Sequence, residues 1–304
     1  MEQNATLTKD KKGAINVSTF SHKIHSYLKH PFSLLVWIIT ILAALLTAAS
    51  FVYLVLYILI KGVPYLRPEL FSWTYDSNNV SMLPSIINTF LLTVLSLVIS
   101  VPLGIFAAIY MVEYAKKGNR MVKFIRVTAE TLSGIPSIVY GLFGMIFFVG
   151  VLKMQLSLLS GSLTVAIMVL PTIMRTTEEA LLSVPQSYRE GSFGLGAGKL
   201  RTVFRIVLPS AVPGILSGVI LATGRIVGET AALIYTAGTM AKVPNNLFAS
   251  ARTLSVHMYL LSNEGLHTNE AFATAVVLLV FVMLINMLAN FVARRLSAKN
   301  AEND

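Results

Sequence analysis

The chain has 304 residues, of which 55% are hydrophobic and only 12% charged, and its formal net charge is +10. A soluble domain carries about 25% charged residues, so this composition excludes an ordinary soluble enzyme. There is no cysteine, which removes disulfides, thiolate metal sites and cysteine nucleophiles.

Residues 1–32 are polar, lack a sustained apolar period and are expected to form a cytoplasmic tail. The first charge-free run, Ser33 to Ile60, is 28 residues long. About 20 apolar residues in a helix cross the hydrocarbon core, so this run spans a membrane. Thr47-Ala48-Ala49 resembles a cleavage site but lies inside the run, and a retained helix is expected. Further charge-free runs cover Ser77–Val112, Thr131–Leu152, Met154–Met174 and Ala271–Ala293. Together with an apolar stretch after residue 210 they predict six spans: 34–60, 85–112, 134–152, 157–175, 211–237 and 271–293. The expected organisation is a tail (1–32), a first helix with its outer loop (33–79), a core (80–293) and a second tail (294–304). A long outer loop covers 238–270.

The distribution of Lys and Arg sets the orientation. The tail before span one, the loops after spans two and four, and the C-terminal tail hold 18 of them, against five in the alternate loops. Both termini are therefore expected in the cytoplasm. The positive charge is accounted for by membrane topology and by anionic inner-leaflet lipids, and it implies no nucleic acid.

Two groups of ionisable residues fall within or beside the spans. Arg225 lies near the middle of span five, with Glu229 one helical turn further on the expected same face. Arg175 and Glu178 lie at the cytoplasmic end of span four. A charge at membrane depth faces a bundle interior or a watery path, because exposing it to lipid costs roughly 2.5–3.5 kcal/mol on insertion scales. Two planar guanidinium forks suit an oxyanion. Structural ion pairs locking helices together are the alternative reading. Gly134-Ile135-Pro136-Ser137 opens span three, as a helix start or as free N–H groups facing an anion. The five histidines are split between opposite sides of the membrane; His22 and His25 could share a helix face but lack nearby carboxylates, so no metal site is expected.

Between spans four and five, residues 176–209 are too polar to cross. Two short helices hinged near Gly194-Leu195-Gly196 fit this segment, since glycine admits the positive φ of a sharp turn. Phe193, Leu195, Leu200, Val203 and Phe204 are expected to supply an apolar face for a groove on another protein, with Arg201 and Arg205 at its rim. An amphipathic loop lying on the membrane is the plainer reading. Gly194 to Lys199 is not a phosphate loop, which would need glycine at 193 and Ser or Thr at 200, where the chain has Phe193 and Leu200. No ATP site or other cofactor is expected in this chain.

Within that segment, Glu190-Gly191-Ser192, Gly196, Ile206 and Leu208-Pro209 keep every spacing of the loop by which ABC-transporter permeases dock onto their ATPases. That pattern reads Glu-Ala-Ala, x3, Gly, x9, Ile-x-Leu-Pro, and Gly191 and Ser192 replace its two alanines. Leu132-Ser-Gly-Ile-Pro-Ser-Ile-Val-Tyr-Gly-Leu-Phe-Gly144, Met174-Arg-Thr-Thr-Glu-Glu-Ala-Leu181 and Gly224-Arg-Ile-Val-Gly-Glu-Thr-Ala-Ala-Leu-Ile-Tyr-Thr-Ala-Gly238 add to the likeness. Over about residues 80–293 the chain resembles the PstA-type permease subunits of phosphate ABC importers. The resemblance implies an all-α type I importer fold with six transmembrane helices. It also implies a second homologous permease, ATPase subunits and an extracytoplasmic phosphate-binding protein as partners. Arg175, Glu178 and Arg225 match residues implicated in phosphate passage in that family; Glu229 joins them on the expected helical geometry. The departure at Gly191-Ser192 makes the helix before the turn less alanine-rich and bears on its local stability.

Other readings remain at this level. A molybdate or sulfate permease shares the docking pattern. An ion-gradient transporter would not need it, and a membrane-embedded enzyme would need paired carboxylates or a histidine cluster at membrane depth.

Overall fold

The computed structural model describes residues 31–76, 79–116 and 118–301. The expected tail 1–32 falls almost wholly outside them, as do residues 302–304. Among the described residues the regular structure is entirely helical. The chain divides into two compact units, Met1–Tyr57 and Ile58–Asp304.

The first unit's described part is one helix, α1 (Pro31–Gly62), whose last turns pass into the second unit. Its apolar side chains are exposed, Leu46 at 65% and Phe51 at 69%. Only a bilayer or another membrane helix can cover such a surface.

The second unit is built on α2 (Leu83–Ile109), α5 (Leu158–Ser183), α8 (Leu208–Gly228) and α11 (Thr268–Ala301). Among the described residues five helices, α1 included, are long and apolar enough to cross a membrane, and a bent pair makes up to six. That pair is α3 (Arg120–Ser133) and α4 (Ser137–Gly144), the latter extended by a π-helical stretch, Met145–Val151. They meet at 104°. Asn119 starts α3 by accepting a hydrogen bond from the Met121 N–H at 2.8 Å. Pro136 occupies the cap position of α4, where its missing N–H removes no helical bond. Across the bend the Tyr140 hydroxyl donates to the Leu132 carbonyl at 2.8 Å. The expected third span, about 134–152, is present as the continuous helical stretch Ser137–Val151, starting three residues later than expected. The charged loop before it is itself helical, and the chain turns sharply at Gly134-Ile135-Pro136 because proline disfavours helix at the residue before it.

Close packing follows from small residues and short polar side chains. The most extensive helix pair is α2 with α5, followed by α5 with α8. A Cβ added at Gly218 would collide with the side chain of Thr176, and one at Gly214 would come within 2.6 Å of the Ala180 Cβ. Such glycines let membrane helices approach where no hydrophobic drive exists. Ser85, Asn88, Thr89, Thr93, Ser96 and Ser100 form a buried stripe on α2 at spacings of one to four residues. Thr89 Oγ1 accepts from the Leu254 N–H at 2.8 Å, and Asn88 Nδ2 donates to the carbonyls of Lys242 and Arg252. These bonds seat the expected outer loop 238–270, which contains α10 (Leu254–Glu264), against the bundle.

Candidate functional site

Two helices carry the arginines singled out in the sequence. The helix of span four runs past its expected end at residue 175 to Ser183, so Arg175 and Glu178 lie inside α5 rather than at its tip. The two do not pair with each other. Arg175 Nε donates to Glu179 Oε1 at 3.3 Å, one turn along the same helix. Glu178 instead reaches across to α3, where Arg126 Nη2 stands 2.5 Å from its Oε1. A cavity of about 360 Å³ lies between α3 and α5, lined by Arg126, Glu130, Ser133, Pro171, Arg175, Glu178 and Glu179 among others.

Arg225 sits in the last turn of α8 and is partly exposed. Gly218 of α8 packs on Thr176 of α5, and Gly214 packs on Ala180, so the two helices run antiparallel. Seven residues beyond Gly218 at about 1.5 Å each put Arg225 roughly 10 Å further along the bundle than the level of Thr176. The expected helical face shared by Arg225 and Glu229 is corrected. α8 ends at Gly228, and Glu229 has extended backbone (φ −70°, ψ 130°). The Glu229 carboxylate is buried and accepts from the Ala232 N–H at 3.0 Å, capping the short helix α9 (Ala231–Ile234). Its carbonyl accepts from the Ser255 hydroxyl at 2.5 Å. The Glu229 backbone and its Oε1 thus hold the break in span five, where the expected continuous helix over 211–237 is interrupted.

The segment between α5 and α8 folds as two short helices, α6 (Gln186–Gly194) and α7 (Lys199–Thr202), the second continuing into α8 through a π-helical turn, Val203–Val207. The turn between them is made at Gly196, with φ of +82°, a value a side chain would strain. Leu195 is 91% exposed, Leu200 65% and Phe193 47%, with Glu190, Gly191, Arg201 and Arg205 also exposed. Val203 departs from the expected apolar face, being buried in the core beneath the segment. Ile206, Leu208 and Pro209 are partly buried where the segment joins α8. Open space surrounds Gly191, so nothing there excludes an alanine. Ser192 is buried, and its hydroxyl lies 2.8 Å from that of Thr202, a hydrogen bond that ties α6 to α7 across the turn.

Residues 100–301 match the family described as "Binding-protein-dependent transport system inner membrane component". The chain belongs to this family. It is an ABC importer permease subunit, a multi-pass protein of the membrane. The "Probable ABC transporter permease protein YqgI" of Bacillus subtilis (strain 168) is 34% identical over 282 residues, 86% of this chain and 95% of its own. The "Phosphate transport system permease protein PstA 1" of Mycobacterium tuberculosis (strain CDC 1551 / Oshkosh) is 35% identical over 204 residues, 65% of this chain and 66% of its own. Among solved structures, a bacterial alginate ABC transporter in complex with its alginate-bound periplasmic protein superposes with a TM-score of 0.64 at 17% identity. The match covers 89% of this chain and 98% of that one. At that identity the likeness speaks for the fold.

Three features of the permease escaped sequence reasoning. Arg126 counted only as an orientation charge, although it lies one helical turn before Glu130 on a helix with a distinct polar side. Arg189 likewise counted as a surface charge. It is buried, donating from Nε and Nη2 to Glu113 Oε1 at 3.1 and 2.7 Å and from Nη1 and Nη2 to the carbonyls of Val184 and Leu181, both at 2.9 Å. No local pattern marks either contact, because each partner sits on a helix distant in sequence. The Ser192–Thr202 bond had a weak local signal, two hydroxyl residues flanking a predicted hairpin of helices.

Proposed function

We propose that this permease carries inorganic phosphate across the cell membrane as one of two homologous permease subunits of an ATP-driven importer. ATPase subunits dock on the cytoplasmic side, and an extracytoplasmic phosphate-binding protein delivers the anion. The observation that carries this reading is the pair of arginines on adjacent helices, Arg175 on α5 and Arg225 on α8, at two depths of one bundle. Relatives named as phosphate transport permeases support phosphate over other oxyanions.

The exposed apolar tip formed by Phe193, Leu195 and Leu200 is the surface offered to an ATPase groove. α5 runs into this segment through Val184-Pro185, and the segment runs into α8 without a break. Movement of the tip is therefore delivered to the two helices that bear the arginines, which rock between states open to either side. Arg175, Arg225 and Glu178, the last turned towards Arg126, line the anion's path. The guanidinium groups replace part of its hydration shell, and the neighbouring carboxylates keep its hold weak enough for release. Glu229 shapes the break beside Arg225 rather than touching the anion. Sulfate or molybdate remains the second reading, since the same forks suit any tetrahedral oxyanion.

The test is radiolabelled phosphate uptake in cells lacking their own importer, with this subunit expressed beside its neighbouring subunits. ATP-dependent uptake that falls at least tenfold with Arg225→Ala is expected. Uptake unchanged by that substitution, or insensitive to ATP depletion, would overturn the proposal.

A further inference from the structure

Glu178 is the point at which the structure departs most from its sequence spacing. It lies three residues from Arg175 on α5, yet its carboxylate turns to Arg126 on α3, at 2.5 Å. Arg175 is left to the intrahelical Glu179 at 3.3 Å. One pair therefore lies within a helix and the other bridges two helices. The bridging pair is unevenly exposed, Glu178 at 12% and Arg126 at 52%, so a solute can reach the guanidinium while the carboxylate stays anchored.

Arg126 also stands between two spaces. It lines the cavity of about 360 Å³ that contains Arg175. It lines as well a second cavity, of about 470 Å³, walled by the segment between α2 and α3 and the start of α3 and bearing Lys116 and Lys123. Among the described residues, Leu182 alone shares this double position. The first cavity is lined by two arginines and three carboxylates, Glu130, Glu178 and Glu179, whereas among the described residues the ionisable groups lining the second are all cationic: Lys116, Lys123 and the shared Arg126. An oxyanion arriving beside Arg175 thus finds its next planar fork on Arg126, occupied by Glu178. Beyond it lie compact, strongly hydrated ammonium groups, which hold an anion loosely.

We propose that Arg126 is a further anion-handling residue of the permease, and that its pair with Glu178 is a latch between the two cavities. The anion displaces the Glu178 carboxylate from the Arg126 fork, passes to the Lys116 and Lys123 side, and the carboxylate recaptures the fork behind it. No covalent step is involved: one charge-assisted pair is exchanged for another and then restored. This rests on the reading that the Arg175 cavity belongs to the anion path.

The test uses the assembled transporter, with its partner subunits and binding protein, in proteoliposomes. Phosphate, sulfate and molybdate are the probes, and anion moved per ATP hydrolysed is the readout. Arg126→Gln is expected to lower that ratio at least tenfold, and Arg126→Lys to rescue it poorly, because an ammonium lacks the fork. Arg120→Gln, on the same helix but outside both cavities, is expected to leave it unchanged. The exchange Arg126→Glu with Glu178→Arg separates the latch from a plain structural tie. It restores an ion pair and the melting temperature, yet the ratio stays low because the fork has moved to α5. A wild-type ratio in Arg126→Gln, or full recovery in the exchange variant, would overturn the latch. A wild type that moves sulfate or molybdate instead of phosphate overturns the phosphate reading alone, and the same variants then judge the latch on that anion. If none of the three anions moves, both fall.

Discussion

Single side chains in this permease take their roles from what surrounds them, and His257 is the sharpest case. It is fully buried on α10, edge-on to the Tyr75 ring at 5.9 Å, with its Nδ1 3.4 Å from Arg252 Nη1. Arg252 in turn stacks over Tyr75 at 5.0 Å and donates from Nε to the Thr239 carbonyl. Burial, and then the positive charge of Arg252, push the imidazole down from 6.5 to about 3, while the Val80 carbonyl works the other way. The folded value lies below the unfolded one. Between pH 6.5 and about 3 the unfolded chain therefore binds a proton that the folded chain refuses. The stabilisation is fully present above pH 6.5 and is lost as pH falls towards 3, by an upper limit of about 5 kcal/mol. Thermal melting of the purified permease against pH should show this acid-side fall, and His257→Gln should flatten it. An equally steep fall in the variant would show that other groups set the acid limit.

Elements are joined at places where buried charge does the joining. Arg189 gives four hydrogen bonds, two to Glu113 in the π-helical turn Tyr110–Tyr114 that follows α2 and two to carbonyls at the end of α5. It thereby satisfies acceptors that a helix end leaves open and carries α6 as a rigid extension of both helices. Arg189→Leu would strand the Glu113 carboxylate, whose side chain is 9% exposed, at a cost of roughly 3–5 kcal/mol. A fall in melting temperature is expected, and adding Glu113→Leu should recover much of it, since an apolar pair strands no charge. Failure of the double variant to recover would mean that the carbonyl contacts, not the ion pair, dominate. Ser192 works on the same scale. Its bond to Thr202 ties the helices flanking the turn, which offsets the helix propensity lost where the family pattern has alanine.

On the scale of the whole molecule, the surface divides by what must cover it. α1 and the outer flanks of α2 and α11 expose apolar side chains suited to lipid or to a sister subunit. The tip at Leu195 exposes apolar side chains at the end where the basic loops meet; Lys199 of α7 lies over the Tyr114 ring at 5.0 Å. Leu195 makes no buried contact to lose, so Leu195→Asp should leave the permease folded. Placed against an ATPase groove, the same change buries a charge, and co-purification of the ATPase should drop at least tenfold. Undiminished co-purification would move the docking surface elsewhere.

The membrane class, the approximate place of the spans and the hinge at Gly196 could be read from the chain alone because each depends on local quantities: apolar length and the φ that glycine permits. The family was legible for a related reason, its motifs being fixed spacings within single segments. Ion-pair partners and helix ends were decided elsewhere. Spacing favoured Arg175 with Glu178 and a continuous helix through Glu229; packing gave Glu178 to Arg126 and turned Glu229 into a cap. Arg189 found Glu113 across a separation of 76 residues. A charge in a bundle pairs with whatever the neighbouring helix brings within reach. Only the register and crossing of those helices, set by contacts such as Gly218 on Thr176, determine what that is.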